Sequence, residues 1–425
     1  MLTATALLLT GHGMQLTLLP MRAEALGVSA SAIGLSASLY FVGFVVGCLL
    51  VPRLMGRIGH IRTFAVFTAV MLCSILALEL TTYWPAWLLL RFFTGLGVCS
   101  LYAVIESWLN SHSDASNRGK ILSIYTFVVL TAMTAGQFLI NVGPVTSSVP
   151  FSVAALCLAL AILPVGLTRR PEPQAVEYTK TSFTLLYQRS RSAFAGALLS
   201  GLVVGSFWSL GAVFAQRYMD SQMGVTVFMS LAIAGGALVQ YPIGWLSDRV
   251  DRRRILLALT LGTLLASVAV ATGALRPWFL PAVGLFGAFA MPLYAMSLAT
   301  AADVCEGHEF VAIGSTVLLL NALGAVSAPI LLGPLMSYFN ATALFWGFAA
   351  TCVVFSVYFV VQMRAPRAVT LAQQTPFEVA ATEAAPVGFE LDPRTYQPAH
   401  EPIDEKSGEG ESVNPAPPTP PKVAE

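Results

Sequence analysis

From Thr3 to Met363 the chain is a succession of apolar runs, each close to the length that crosses a lipid bilayer as a helix. A hydrocarbon core about 30 Å thick takes roughly 20 residues of α-helix, whereas a spanning strand takes only about 9–11. Helices also satisfy their own backbone hydrogen bonds, which lipid cannot do for them. The expected spans are Thr3–Met21, Ala32–Val51, Thr63–Thr82, Ala86–Leu109, Gly119–Ile140 and Pro150–Leu167, then Ala193–Ala215, Val225–Leu246, Ile255–Leu275, Trp278–Ala302, Val311–Leu335 and Ala341–Met363. Only 11% of the residues are charged, against about 25% in soluble domains. A chain so poor in charge needs lipid as its solvent, and an all-α membrane protein of twelve transmembrane helices is the expected fold class. Its N-terminus lacks the basic stretch of a signal peptide and reads as a retained first span.

Basic residues in the short loops orient a membrane protein. With the N-terminus inside, fourteen Lys and Arg fall in cytoplasmic loops, among them Arg57, Arg62, Arg118 and Arg249, and four (Arg22, Arg91, Arg217, Arg276) fall toward the outside. Both termini are therefore expected in the cytoplasm. Residues 169–192 are polar, basic and Pro-containing and read as a linker between a bundle over 1–168 and a second over 193–363. Ten of the 22 acidic residues lie after Leu371, so residues 364–425 read as a disordered acidic tail, lacking the large apolar side chains that would offset the entropy of ordering. The six cysteines are scattered singly, with no C-x-x-C pair, which fits neither a disulfide framework nor a zinc site.

The two bundles are repeats. Arg57 and Arg249, Leu101-Tyr102-Ala103 and Leu293-Tyr294-Ala295, and Ser123 and Ser315 share one offset of 192 positions (249 less 57). Three landmarks in one register mark a duplication of six helices each. Six is even, so the repeats run parallel about an axis along the membrane normal, an arrangement that rocks around a central site in transporters.

The loop after the eighth span reads GWLSDRVDRRR (Gly244 to Arg254) and resembles the G-x-x-x-D-R-x-G-R-R signature of the major facilitator superfamily. The equivalent loop of the first half, PRLMGRIGHIR, keeps Arg57 and Gly59 but has Gly56 where the family has its acid. LRFFTGLG (Leu90 to Gly97) is similar to the R-x-x-x-G-x-G pattern of proton-coupled members. The fifth-helix antiporter signature is not matched, since AMTAGQFLI has Gln137 at its proline. Other stretches, such as TLLPMRAEALGVS, resemble a bacterial permease branch of the superfamily. The resemblance implies a secondary transporter in a bacterial cytoplasmic (inner) membrane, acting as a monomer on a small-molecule solute, with a proton as the candidate coupling ion.

An ionisable group within the hydrocarbon is costly and is a functional candidate by default. His12 lies half way along the first span, and its side chain either exchanges a proton or hydrogen-bonds a neighbouring helix. Arg91 sits inside the fourth span, and Tyr102, eleven positions on, lies about 20° away round the helix. With Gly95 and Glu106 they form a polar stripe expected to face a central cavity; the competing readings pair Arg91 with Glu79 or let it snorkel outward. Gln15, Gln137, Gln240, Tyr294 and Asn321 are further candidates for the solute pathway, or are interhelical glue. Trp208 either stacks on a flat solute or packs.

At the cytoplasmic ends, Glu106 is expected within reach of Arg57, Arg62 or Arg118, with Asp303 as its looser counterpart. Gly244, Asp248, Arg249 and Arg252 complete the candidate cytoplasmic gate. By the twofold relation, Asp248 is expected to approach Arg118 and the start of the fifth helix when the cytoplasmic side closes. His60, His112, His308 and His400 fall in loops or tail without metal spacing. No cofactor, nucleic acid or metal is expected, nor an enzyme, since no His, Asp or Ser cluster stands at one depth. No phosphate-binding loop points to an ATP-driven pump. The alternative to a transporter is a transport-inactive receptor or scaffold on the same fold.

Overall fold

The computed structural model describes residues 1–113, 117–168, 181–219, 221–273, 278–305, 309–364, 374, 375 and 377, with backbone only at 118 and 119. Among them, twelve helices are long and apolar enough to cross a membrane. They are α1 (Leu2–Ala25), α2 (Ala30–Ile58), α3 (His60–Leu80), α4 (Trp84–Ser111), α5 (Arg118–Leu139), α6 (Val149–Gly166), α7 (Arg191–Tyr218), α8 (Gln222–Ser247), α9 (Arg252–Thr272), α10 (Phe279–Ala302), α11 (Phe310–Tyr338) and α12 (Ala343–Gln362). Every expected span has its helix. Seven of the twelve run three or more residues past the expected stretch at one end, and at four starts a capping side chain marks the boundary. Ser29, Ser190, Ser221 and Asp251 accept from the first free amides of α2, α7, α8 and α9, as N-caps do. A short helix, Phe183–Arg189, lies in the described part of the segment between α6 and α7.

The duplication is visible in the backbone contacts. A Cβ on Gly43 or Gly95 would overlap the carbonyl oxygen of Phe92 or Tyr40, locking α2 against α4; one on Gly235 or Gly287 would overlap that of Gly284 or Ala232, locking α8 against α10. Each member of the second set stands 192 positions after its counterpart. Small residues let membrane helices approach this closely, where dispersion replaces the missing hydrophobic drive.

With an even number of spans, both chain ends lie on one side of the bundle, here called the tail side; the opposite is the far side. The two halves meet through α2 with α11 and, by the pseudo-twofold, α8 with α5. Hydrogen bonds tie the halves together toward the far side on both seams. Ser31 Oγ is 2.9 Å from Ser337 Oγ, Ser38 donates to Val326 O at 2.6 Å, and Arg217 grips Glu24 with two bonds of 2.7 and 3.0 Å. On the other seam Thr226 donates to Gln137 O at 3.2 Å, Asn141 to Thr226 at 2.8 Å, and Gln222 to Ile140 O at 2.7 Å.

Candidate functional site

The middle of the first half holds a polar group assembled from three helices. Tyr40 of α2 places its hydroxyl 3.2 Å from His12 Nε2 of α1, and the Arg91 guanidinium of α4 lies over the Tyr40 ring, 4.6 Å from its centroid. Arg91 is 4% exposed. Among the described residues it makes no ion pair and no hydrogen bond, and its Nη1 is fully buried. Glu79 is therefore not its partner. Gln15, one turn along from His12, is 0% exposed, and neither its amide oxygen nor its nitrogen meets a described partner.

Tyr40 also joins this group to a cavity between the halves, which it lines with Phe41 and Phe44 on one side and Gly205, Trp208 and Asn321 on the other. Asn321 Oδ1 is buried there without a described donor. The wall at Gly205 is made by a π turn over Gly201–Gly205, an irregularity frequent at functional sites. The glycines at its ends seat it against the α11 backbone at Asn321 and Ala325. In the second half the positions matching His12, Gln15, Tyr40 and Arg91 are Val204, Phe207, Ala232 and Val283. These four positions are polar in the first half and apolar in the second.

The remaining pathway candidates separate. Gln137 is an interhelical tie, donating to Gly13 O at 2.8 Å and accepting from Thr17 at 2.6 Å. That bonding leaves it no free polar atom for a solute. Tyr102 and Tyr294 are buried at matching depths but do not line the cavity. Gln240 is buried toward the tail side of α8. The stripe on α4 faces helices of its own half and not open space: Gly95 lies on α2, and Glu106 accepts from Tyr125 of α5 at 3.0 Å. Arg91 reaches the centre through Tyr40.

At the tail side the second half carries a network of ion pairs. Arg252, 2% exposed in its side chain, donates to Asp303 at 2.7 Å and Asp248 at 3.1 Å, and to Ala299 O at 2.7 Å. Thr375 donates to Asp303 through its amide and hydroxyl at 3.0 and 3.1 Å, and the Phe377 amide donates to Asp248 at 3.0 Å. The Phe377 ring lies against Gly244, so the described residues of the expected free tail are docked on the candidate gate. Arg249 folds over Trp245 at 3.9 Å.

Arg57 and Arg62 are exposed and make no ion pair with Glu106, a correction to the expected gate. A long side chain at a helix end reaches water more cheaply than it enters the core. The Arg118 side chain lies outside the described residues, as do His308 and His400. His60, expected in a loop, is buried in the first turn of α3 with Nε2 2.8 Å from Ser107 Oγ. Among the described residues no group of three metal-binding side chains comes together.

Tyr40, the hub of the central group, had no separate signal in the sequence, because a tyrosine in an apolar run reads as packing. The Arg217 and Glu24 pair is also new to the structure. Both residues are charges at span ends, legible as candidates once the two halves are placed side by side.

Comparison with known proteins fixes the family. The profile of the Major Facilitator Superfamily matches residues 1–271 and 193–398. The chain belongs to that superfamily. An MFS-type transporter, YcaD of Escherichia coli O17:K52:H18 (strain UMN026 / ExPEC), is 30% identical over 321 residues, covering 75% of this chain and 83% of the relative. Among solved structures, the nucleoside transporter NupG superposes with a TM-score of 0.72 at 14% identity, over 86% of this chain and 98% of its own. A bacterial homologue of the human lysosomal transporter Spinster, in an inward-facing and unoccupied conformation, gives 0.64 at 16% identity, over 88% and 96%. These last two likenesses carry the fold alone. Twelve spans in this superfamily make the protein a multi-pass membrane protein.

Proposed function

We propose that the protein is a secondary active transporter that moves a small solute by alternating access across a bacterial inner membrane. Both termini are cytoplasmic on this reading, as the loop charges require. The observation that carries it is the far-side seam: hydrogen bonds of both pairs of helices tie the halves together there, beside a cavity walled by both halves. With the tail side cytoplasmic, this is an inward-open state, and two bundles related by a pseudo-twofold interconvert with the opposite state by rocking. The bundles over 1–168 and 193–363 are the rocking bodies, and one chain encloses the site, so a monomer suffices. His12, held by Tyr40, is the candidate proton carrier. In the closed cytoplasmic state Asp248 exchanges its present contacts for the start of α5 at Arg118. A transport-inactive scaffold is disfavoured, because it has no need of a polar group beside a central cavity.

The test is a disulfide between cysteines placed at Ser31 and Ser337 in a variant lacking the six native cysteines. Crosslinking should occur readily, stop solute-dependent exchange in proteoliposomes, and be reversed by reductant. Full exchange with the crosslink in place would sink the alternating-access reading. Under an imposed pH gradient, His12→Gln should remove the pH dependence of uptake; an unchanged profile removes His12 from coupling.

A further inference from the structure

A buried guanidinium without a counter-charge asks for one. Arg91 is nine-tenths buried, carries five N–H donors, and among the described residues gives none of them to an acceptor. The carboxylates on the first-half spans are spoken for or out of contact: Glu24 holds Arg217, Glu106, about four helical turns from Arg91, holds Tyr125, and Glu79 makes no ion pair among the described residues. Arginine keeps its charge in proteins, so losing the proton does not relieve the cost of burial.

The geometry narrows the missing partner. The guanidinium lies over the Tyr40 ring, and its N–H groups fan out in a single plane. A planar carboxylate meets such a fork with two parallel bonds. The Gln15 amide, buried and unpartnered, adds a further donor from the same half. Across the cavity the second half offers the opposite chemistry: Val204 and Trp208 form an apolar and aromatic wall, and Asn321 Oδ1 waits for a donor. A ligand that satisfies both sides has an acid at one end, a flat apolar body, and a hydrogen-bond donor at the other.

We infer that the central site takes small aromatic monocarboxylates bearing a distal hydroxyl, with Asn321 of the cavity wall binding the hydroxyl and Arg91, which stands behind the Tyr40 ring in this state, binding the carboxylate once that ring turns aside. The inference rests on the transporter reading and names its substrate class. It fails separately from that reading, since the crosslinking test above involves neither Arg91 nor any chosen solute chemistry.

The experiment is a thermal-shift and equilibrium-binding series on purified full-length protein with three matched sets: 4-hydroxybenzoate, 4-hydroxyphenylacetate and 4-hydroxycinnamate, each beside its neutral amide and its amine analogue. At least one acid should stabilise the protein and bind at least about tenfold more tightly than its amide, the scale of a charge-assisted pair. Arg91→Gln should abolish that acid-over-amide preference while leaving the unliganded melting temperature near or above that of the native protein, because it removes an unpaired buried charge. Arg91→Lys should keep part of the preference, losing the bidentate share. Asn321→Ala should cost the hydroxylated acid affinity but leave the parent acid without the hydroxyl unchanged. Equal or better binding of the amides or amines, an acid preference that survives in Arg91→Gln, or no binding by any of the acids would each overturn the inference. A large loss of folded Arg91→Gln protein would overturn it too, by showing that the guanidinium is already satisfied within the chain.

Discussion

At mid-membrane the first half supplies the ionisable group, His12, Tyr40 and Arg91, and the second supplies Val204, Ala232 and Val283 at the same positions. At the tail side the roles reverse. The first half joins α3 to α4 by a bond between His60 and Ser107, whereas the matching position Arg252 binds Ala299 O, the counterpart of residue 107, and adds Asp303, Asp248 and the returning tail. A duplicated scaffold keeps its glycine contacts, since backbone touching backbone admits no substitute, and is free to divide its charges. The division puts the buried polar group beside the cavity in one bundle and the ion-pair network in the other.

The largest effect should come from breaking the ionic latch. Arg252→Ala leaves Asp303 buried with its charge uncompensated and should cost about 3–5 kcal/mol, read as a fall in melting temperature, while Arg252→Met with Asp303→Leu should recover most of it. A cost below about 1 kcal/mol for the single change, on the same scale, would erase the contrast between halves. The first-half counterpart should matter less: His60→Ala leaves Ser107 without its partner and should cost about 1–3 kcal/mol. Tyr125→Phe, which strips the hydroxyl from the Glu106 carboxylate, belongs in the same range and is read by the same melt.

Smaller still in stability is the tail. Truncation after Ala372 removes the Thr375 and Phe377 contacts and should shift stability by under about 1 kcal/mol, since a net hydrogen bond contributes about that. It should nevertheless raise hydrogen exchange at the amides around Asp248 and Arg252 and increase the fraction closed on the cytoplasmic side, because Asp248 is released. Unchanged exchange would show that the docked tail has no hold on the latch. The smallest effect is expected at Gly56→Asp, which writes the missing acid into the first loop at an exposed position; stability should stay within about 0.5 kcal/mol, with no new latch on the melting curve.

The twelve spans and the duplication were legible because lipid imposes length and apolarity on every span, and because a duplication leaves an offset. His12, Arg91 and Asn321 were legible as polar atoms in expensive places. Their organisation was not: Tyr40 is chosen as hub by the closeness of α2 and α4, a property of Gly43 and Gly95 acting on a third residue. Gln137 was left open between pathway and interhelical tie for a related reason, as a buried amide looks the same in sequence whether it awaits a solute or ties Gly13 and Thr17. The tail contact joins segments more than 70 positions apart through single atoms, and no periodicity records that. Arg57 and Arg62 were over-read, since a cationic loop states which side of the membrane it occupies and nothing about its partners.

The π turn at Gly201–Gly205 makes α7 sensitive to length in a way that no side-chain scan would reveal. A π turn accommodates one residue more than the α turn it replaces, so deleting any one residue of this stretch lets the helix relax to regular pitch. The extra residue is absorbed within that one turn, so Trp208 and Arg217 beyond it would keep the faces they now turn to the cavity and to Glu24. What would go is the widened turn that seats Gly205 against Ala325. A single-codon deletion here would thus reshape the cavity wall and spare the far-side seam, whereas the same deletion in the regular turns of α7 would rotate everything beyond it by about 100°.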